Sequence, residues 1–481
     1  MNDNTAYEVI IVGSGLAGLG AADLLCAHGL RVLVIDDNAH TGGQLLRKAP
    51  HAGRIARRFE PDRLKRRGLQ LAERLRKGRL QLLIGAQVLG IYPERTLLVE
   101  DRQRRVSEYR AEALILATGA RERQLPFKGW TLPGVISTGG AQILMKSSGI
   151  LPGRDTLVGG CGPLMLVLAA EILANRGGVR AVLDQSTTVQ KLKSVTAGAS
   201  IWPKLLEGAV YLTRLAACRV PLKQGVRIVE ARGNPYLERV VAARVDAHGR
   251  IIQGSERIYA SDTLAVGYGF TPNIELPQQA GCALSYAVDK GGWHVDVSAA
   301  MATSVDDIYA VGEITGIAGA AKSYLEGQIA AWDLLFKQGR VDRHAHEKHT
   351  QALTRQRRRQ LRYARFLNQL CRVQPECYAD IPDETVVCRC EEITMGEIRK
   401  QLHNGFVTMN GVKKATRCGM GTCQGRTCGP ILFDIISAFT RRPSAGVGCT
   451  AVRAPVKTVA LGALAQMTPH SGDTHEDRDR G

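Results

Sequence analysis

The chain has 481 residues, 44% of them hydrophobic and 23% charged, a balance that excludes wholesale disorder and leaves room for about three domains of ordinary size. Lys and Arg number 64 against 45 Asp and Glu, a net charge of +19. So basic a chain suits acidic cofactors, an acidic partner, nucleic acid or an anionic membrane, and charge alone does not choose among them. No run of about 18 uncharged apolar residues occurs; the nearest, from 156 to 174, is broken by Gly159, Gly160, Gly162, Pro163 and Glu171. The first residues lack the basic segment of a signal peptide, so the expectation is a soluble, cytoplasmic protein without a transmembrane segment. Of 12 cysteines, Cys388, Cys390, Cys418, Cys423 and Cys428 fall within 41 residues. Without an export signal, that clustering favours a metal centre over a disulfide framework.

Glu8 to Val12 reads EVIIV, an apolar run suited to a strand buried on both faces. Gly13-Ser14-Gly15-Leu16-Ala17-Gly18 follows, then a helical pattern through Leu19, Ala22, Leu25 and Cys26, and a second strand ending at Asp36. Gly13 permits the tight turn, Gly15 lets backbone approach a pyrophosphate, and Gly18 lets the helix pack closely on the strand. The helix start offers free N–H groups to phosphates. Asp36, 18 residues beyond Gly18, is placed to accept hydrogen bonds from a ribose and disfavours a 2′-phosphate.

Three further segments resemble the two-dinucleotide-binding flavoprotein family, which includes the disulfide reductases. They are Thr41-Gly42-Gly43-Gln44, the ALILATG run that ends in Thr118 and Gly119, and DIYAVGEI with Gly312 and Glu313. The resemblance implies FAD at the first glycine loop, with these residues around it. Glu313 stands where most of the wider family has Asp before the flavin ribityl chain.

A second strand–glycine–helix unit begins near Asp155, with Gly160 and Gly162 in GGCGPLM, 147 residues after Gly13. Met165 replaces its third glycine, which forces the helix away from the strand. Two readings stand: a working NAD(P)H site, or a relic that holds another adenine nucleotide such as ATP, or nothing. The second fits Met165 better. No Cys-x2-Cys or Cys-x4-Cys pair lies between residues 1 and 370, which disfavours dithiol–disulfide chemistry. Cys26, Cys161, Cys218 and Cys282 read as small buried side chains.

Cys388-x-Cys390 and Cys423-x4-Cys428 offer four thiolates, suited to iron–sulfur or zinc. The tight Cys-x-Cys pair leans toward iron, because zinc knuckles more often use wider spacings in both halves. Gly419, Gly421, Gly425 and Gly429 keep the loop thin. The pattern is similar to the [2Fe-2S] domain related to bacterioferritin-associated ferredoxin. By that resemblance the ligands are Cys388, Cys390, Cys423 and Cys428, with Cys418 an extra thiol. Spacing alone does not exclude Cys418, because Cys418-x4-Cys423 has the same form.

Two stretches, 54–79 and 355–365, are rich in Arg and Lys with helical apolar spacing (Leu64, Leu71, Leu75; Leu361, Phe366, Leu370). They read as solvated helix faces or as a docking face for an acidic partner. No groove-reading motif accompanies the charge, so nucleic acid is not expected.

Residues 119–135, 267–273, 312–316 and 453–465 resemble the FAD-containing subunits of bacterial heteromeric amine and amino-acid dehydrogenases. That group includes opine oxidases, hydrogen cyanide synthase and D-hydroxyproline or proline dehydrogenases. The resemblance implies an electron-transfer subunit carrying FAD and [2Fe-2S]. It places C–N oxidation on a second flavoprotein subunit, with room for a small ferredoxin-like subunit. A stand-alone NAD(P)H-dependent flavin and iron–sulfur reductase is the alternative. The expected architecture is α/β: two Rossmann-like domains followed by a ferredoxin-like [2Fe-2S] domain. Its boundaries are 1–125 with 260–340 for FAD, 126–259 for the second nucleotide-like unit, 341–385 as helical linker, 386–467 for the cluster, and 468–481 as a disordered tail.

Overall fold

A computed structural model describes residues 7–47, 63–77, 80–187 and 202–466. The apolar runs near the N-terminus form the centre of a seven-stranded sheet. Strand β1 (Tyr7–Val12) leads through helix α1 (Leu16–Ala27) to β2 (Val32–Asp36). Helix α2 (Arg63–Lys77), β3 (Gln81–Ile84), β4 (Gln87–Tyr92), β5 (Thr96–Glu100) and β6 (Val106–Leu116) follow, giving the order β3-β2-β1-β6-β5-β4. The strands β3, β2, β1 and β6 are parallel, whereas β4 and β5 pair antiparallel. Val9, Ile10, Ile11, Leu114 and Ile115 have no exposed surface, as a sheet covered on both faces requires.

The chain leaves this sheet through β7 (Ala120–Glu122) and builds a second one. Its elements are β8 (Val135–Ser137), α3 (Thr138–Ile143), β9 (Asp155–Gly160), α4 (Pro163–Ala174), β10 (Gly178–Asp184), α5 (Trp202–Ala217) and β11 (Leu222–Gln224). A three-stranded antiparallel sheet, β12 (Val226–Arg232), β13 (Arg239–Arg244) and β14 (Arg257–Ala260), precedes β15 (Thr263–Gly267). The second main sheet is parallel, in the order β11-β10-β9-β15-β8. It therefore takes in Thr263–Gly267, beyond the boundary at 259 expected from sequence. That strand's apolar run does not by itself say which sheet it enters. The apolar stretch 156–174 is divided between β9 and α4, and among the described residues no helix is long and apolar enough to cross a membrane.

The return path runs through β16 (Phe270–Pro272), antiparallel to β7, and the hairpin β17 (Leu284–Ala287) and β18 (Gly292–Val295). Strand β19 (Ile308–Ala310) then joins the first sheet parallel to β6. Helix α6 (Ala320–Lys337) lies on α1 at close range: a Cβ on Gly327 would fall 2.0 Å from the Ala17 carbonyl oxygen, and one on Gly20 would fall 2.9 Å from the Tyr324 ring. Only glycine fits at these two crossings.

Helix α7 (Arg343–Leu370), started by Asp342 accepting from Ala345 N–H at 2.7 Å, covers much of the segment 341–385. It leads to a compact unit of β20 (Val386–Cys388), β21 (Ile393–Thr394), α8 (Met395–His403), α9 (Met409–Thr416) and α10 (Cys428–Thr440). This unit shares one apolar core with the second sheet: Leu125, Phe127, Trp130 and Leu157 pack in the same cluster as Val387, Ile398, Ile431 and Phe433. The chain then runs back along the first sheet, where Val456 N–H donates to Leu89 at 2.7 Å and Lys457 pairs with Asp37. The expected tail 468–481 lies outside the described residues, as do residues 54–62 of the first basic stretch.

Candidate cofactor sites

The first glycine loop joins β1 to α1. Gly13, at φ +110°, turns the chain where a Cβ would lie 2.3 Å from the Ala117 carbonyl oxygen. A Cβ on Gly18 would lie 1.9 Å from the Gly13 oxygen, so the third glycine does bring helix and strand together. Around Gly15 there is no atom within 4 Å of an added Cβ. Helix α1 has no side-chain cap and no acidic residue in its first turn, which leaves its leading N–H groups and positive dipole end for an anion. Gly43 folds over the loop, its would-be Cβ 3.0 Å from the Gly15 Cα, and Gly42 N–H donates to the Ser14 carbonyl at 2.9 Å. Gln44 is exposed beside them. An uncapped helix start with an open, side-chain-free approach fits the pyrophosphate of a dinucleotide such as FAD.

Asp36 ends β2 beside this loop. Its carboxylate accepts from Ser14 N–H at 2.6 Å and Ser14 O–H at 2.7 Å, while the other oxygen accepts from the Asn38 backbone and side-chain amides at 2.8 Å each. It thus braces the glycine loop, a role the ribose expectation did not include. Thr118 and Gly119 begin the crossing to the second sheet and are clasped by Asn273. Thr118 O–H donates to the Asn273 carbonyl at 2.9 Å, Asn273 Nδ2 donates to the Thr118 carbonyl at 2.8 Å, and Asn273 N–H donates to Gly119 at 3.0 Å.

Gly312, at φ +82°, packs against Ala17, its would-be Cβ 3.0 Å from that side chain. The Glu313 carboxylate turns to the start of α6, accepting from Gly319 N–H at 2.7 Å, Ala318 N–H at 3.1 Å and Ser323 O–H at 3.1 Å. Burial raises its pKa above the usual carboxylate range, against the lowering influence of Lys322 and these donors. The Glu313 side chain thus reaches the start of α6 and caps its leading N–H groups.

Sequence reasoning missed what holds this turn. Lys322 and Glu326 each have 0% exposure and pair at 2.8 Å. Lys322 Nζ also donates to the carbonyls of Gly312 at 2.7 Å and Gly316 at 3.0 Å and to Thr315 at 2.6 Å. Glu326 accepts from Gly312 N–H at 2.9 Å, Thr315 O–H at 2.8 Å and Arg357 Nε at 2.7 Å. A Lys–Glu pair at i,i+4 on a helix looks like a surface ion pair; only the tertiary fold buries it. Arg357, from the second basic stretch, is thus structural, while Arg355, Arg358, Arg359 and Arg362 are exposed.

At the second glycine loop, Gly160 at φ +125° matches Gly13 and meets the Gly267 carbonyl, a would-be Cβ lying 2.0 Å away. Met165, in place of the third glycine, is buried in the core under α4. A Cβ on Gly162 would fall 2.3 Å from Cys371 Sγ. The approach that is open at Gly15 is filled here. Cys161 and Cys282 are buried as expected, but Cys26 is half-buried and Cys218 exposed.

The cysteine-rich unit gathers its thiols. The sulfurs of Cys388, Cys418 and Cys428 lie within 4.8 Å of one another. Cys390 interacts with Cys423, and Thr422 O–H points to Cys390 Sγ at 3.8 Å. Cys388, Cys418 and Cys428 are buried, Cys423 is half-buried and Cys390 exposed. Hydrogen bonds from Cys418 and Cys428, then the N–H groups of Gly419 and Glu391, hold the Cys388 thiol far below its ordinary pKa, while the other two members are pushed up. Burial alone would raise Cys423, but the N–H groups of Thr427, Gly425 and Arg426 and the Cys390 thiol bring it down. An all-sulfur donor set with one favoured thiolate and surrounding N–H groups fits an iron–sulfur centre. Cys418 belongs to the tightest group, which the expected ligand set did not include.

Between this unit and the crossing strands lies a cavity of about 80 Å³, lined by Arg121, Arg123, Tyr286, Trp293, Gln424 and Phe433 among others. Arg121 pairs with Glu275 at 2.5 Å and donates to the Arg426 carbonyl at 3.2 Å; Arg123 pairs with Asp434, which also accepts from Tyr378 at 2.7 Å. Trp130 Nε1 donates to the Val386 carbonyl at 2.6 Å. These bonds tie the cysteine-rich unit to the rest of the chain.

Comparison with known proteins agrees with this arrangement. Residues 7–339 match the family described as pyridine nucleotide-disulphide oxidoreductase, and residues 383–467 match the sarcosine oxidase A3 domain. An opine oxidase subunit of Rhizobium meliloti (strain 1021) is 33% identical over 469 residues, covering 96% of this chain and 99% of that one. Hydrogen cyanide synthase subunit HcnB of Pseudomonas aeruginosa is 32% identical over 468 residues, covering 95% and 98%. The fold is similar to L-proline dehydrogenase from P. horikoshii, with a TM-score of 0.70 and 20% identity, covering 96% of this chain and 80% of that chain.

Proposed function

Given that the chain belongs to the pyridine nucleotide-disulphide oxidoreductase family, we propose that it is the electron-carrying subunit of a heteromeric oxidoreductase that oxidises the C–N bond of an amino acid or opine. A partner flavoprotein subunit holds the substrate and performs the oxidation. The relatives' names support the heteromeric setting, since they are subunits of opine oxidase and of hydrogen cyanide synthase. The observation that carries the reading is the presence, in one chain, of an open dinucleotide cradle and a five-thiol unit whose following segment packs Val456 into the core of the first sheet.

FAD when bound supplies acceptance of electrons in pairs and their release singly, the chemistry that a [2Fe-2S] centre needs beside it. The chain's own residues do the rest. Gly13, Gly15, Gly18 and Gly43 shape the pyrophosphate approach, and the start of α1 opposes its charge. Lys322 and Glu326 hold the Gly312–Gly316 turn against α1. For the cluster ligands we propose Cys388, Cys390, Cys423 and Cys428, with Cys418 as the rival fourth thiol. Both cavity arginines are already satisfied by carboxylates, which supports placing the substrate's carboxylate clamp on a partner. The second glycine loop, filled by Cys371, is read as a docking point for the linker, not as a nicotinamide or ATP site.

The test is a tagged pull-down at native expression, with an absorbance spectrum and protein identification on one sample. A flavin-plus-iron–sulfur spectrum with a co-eluting flavoprotein, and no flavin bleaching on anaerobic mixing with NADH, is the expected result. A lone chain that oxidises an amino acid, or whose flavin is bleached by NADH, would overturn the reading.

A further inference from the structure

The chain contains two glycine loops at corresponding places in their strand–loop–helix units, and they differ in backbone, Gly15 at φ −66° and Gly162 at φ +97°, and in what stands before them. Gly15 faces open space, whereas Gly162 faces the sulfur of Cys371. Cys371 is the residue immediately after α7, its N–H donating to the Leu367 carbonyl at 2.9 Å. Next to Gly162 in the loop is Cys161, whose thiol donates to the Cys371 carbonyl oxygen at 3.2 Å. The two residues are 210 positions apart in sequence. The slot they share is narrow because its walls lack side chains: a Cβ on Gly269 would lie 3.4 Å from the Cys371 Cβ. Cys161 is buried and Cys371 half-buried. Neither belongs to the five-thiol unit.

We propose that Cys161 and Cys371 form a reversible disulfide that fastens the end of the linker helix onto the second glycine loop. The oxidant is a peroxide. Cys371, the more accessible thiol, bonds to one peroxide oxygen as the O–O bond breaks; one water leaves and a sulfenic acid remains. The Cys161 sulfur then attacks that sulfur, forming the S–S bond, and the S–O bond breaks. The Cys161 proton leaves with the oxygen as a second water. Two thiols lose two electrons in all, and one peroxide becomes two waters. Cys161 is buried and Cys371 half-buried, so oxidant meets Cys371 first, and Cys161 must give up its proton as it attacks. A small dithiol reverses the change by exchange. This inference does not depend on the electron-transfer reading, because its readout needs neither flavin turnover nor a partner.

The experiment treats the full chain, as purified with its cofactors, with stoichiometric hydrogen peroxide. Free thiols are alkylated and the peptides mapped by mass spectrometry without reduction. The expected result is a linked peptide pair containing Cys161 and Cys371 that vanishes after dithiothreitol, with slower amide exchange at the end of α7 in the oxidised form. Cys161→Ala is expected to stop Cys371 at the sulfenic acid, which a dimedone-type reagent traps; Cys371→Ser is expected to leave Cys161 free to alkylate. Both cysteines alkylated singly, under conditions that oxidise the exposed Cys218, would overturn the proposal. So would a bond from either of them to a different cysteine.

Discussion

Lys322 and Glu326 show how much one buried charge pair can hold. Lys322→Met would leave Glu326 buried with Arg357 as its remaining cationic partner, and losing one side of such a pair costs about 3–5 kcal/mol. Denaturant titration is expected to show that loss, together with weaker flavin retention, because Gly312, Thr315 and Gly316 lose the Nζ that ties them. Gly15→Val separates folding from binding. The structure has room for a Cβ there, so the variant is expected to keep the wild-type far-ultraviolet circular dichroism while purifying without flavin. Normal flavin content would mean the site is misplaced. At the thiol unit, Cys423→Ser is expected to remove iron and its visible absorbance, and Cys418→Ser to retain both. The reverse outcome would make Cys388, Cys418 and Cys428 the ligand core that their 4.8 Å grouping suggests.

At the scale of elements, the segments legible in the sequence are those whose chemistry sits in consecutive residues. The β1–α1–β2 unit could be read because strand, glycines, helix and acid follow one another. The linker helix could be read from its apolar spacing. What could not be read depends on partners far away in the chain: the joining of β15 to the second sheet, the capping of α6 by Glu313, and the arrival of Cys371 at Gly162. Charge on α7 shows the same limit, since sequence gives no sign that Arg357 differs from its neighbours. Reversing the exposed Arg358, Arg359 and Arg362 to Glu is expected to change stability by less than about 0.5 kcal/mol while weakening capture of an acidic partner in low-salt pull-downs. Arg357→Ala, by contrast, is expected to destabilise the fold, since it strips a fully buried carboxylate of a donor.

In the whole molecule, the shared core makes the cysteine unit part of the body and not an appended bead. Removing iron with a chelator under reducing conditions is therefore expected to lower the main unfolding temperature in calorimetry; a separate low-temperature transition for the cysteine unit would contradict this. The return of residues 449–460 along β4 carries a consequence of its own. The cysteine unit is tied to the crossing strand β7 through Arg121 and to the flavin-type sheet through the C-terminal strap at Val456 and Lys457, which Arg426 also holds. Any swing of one body against the other must strain both moorings at once. The distance from the glycine cradle to the thiols is thus set when the chain folds, as a fixed span rather than a gate.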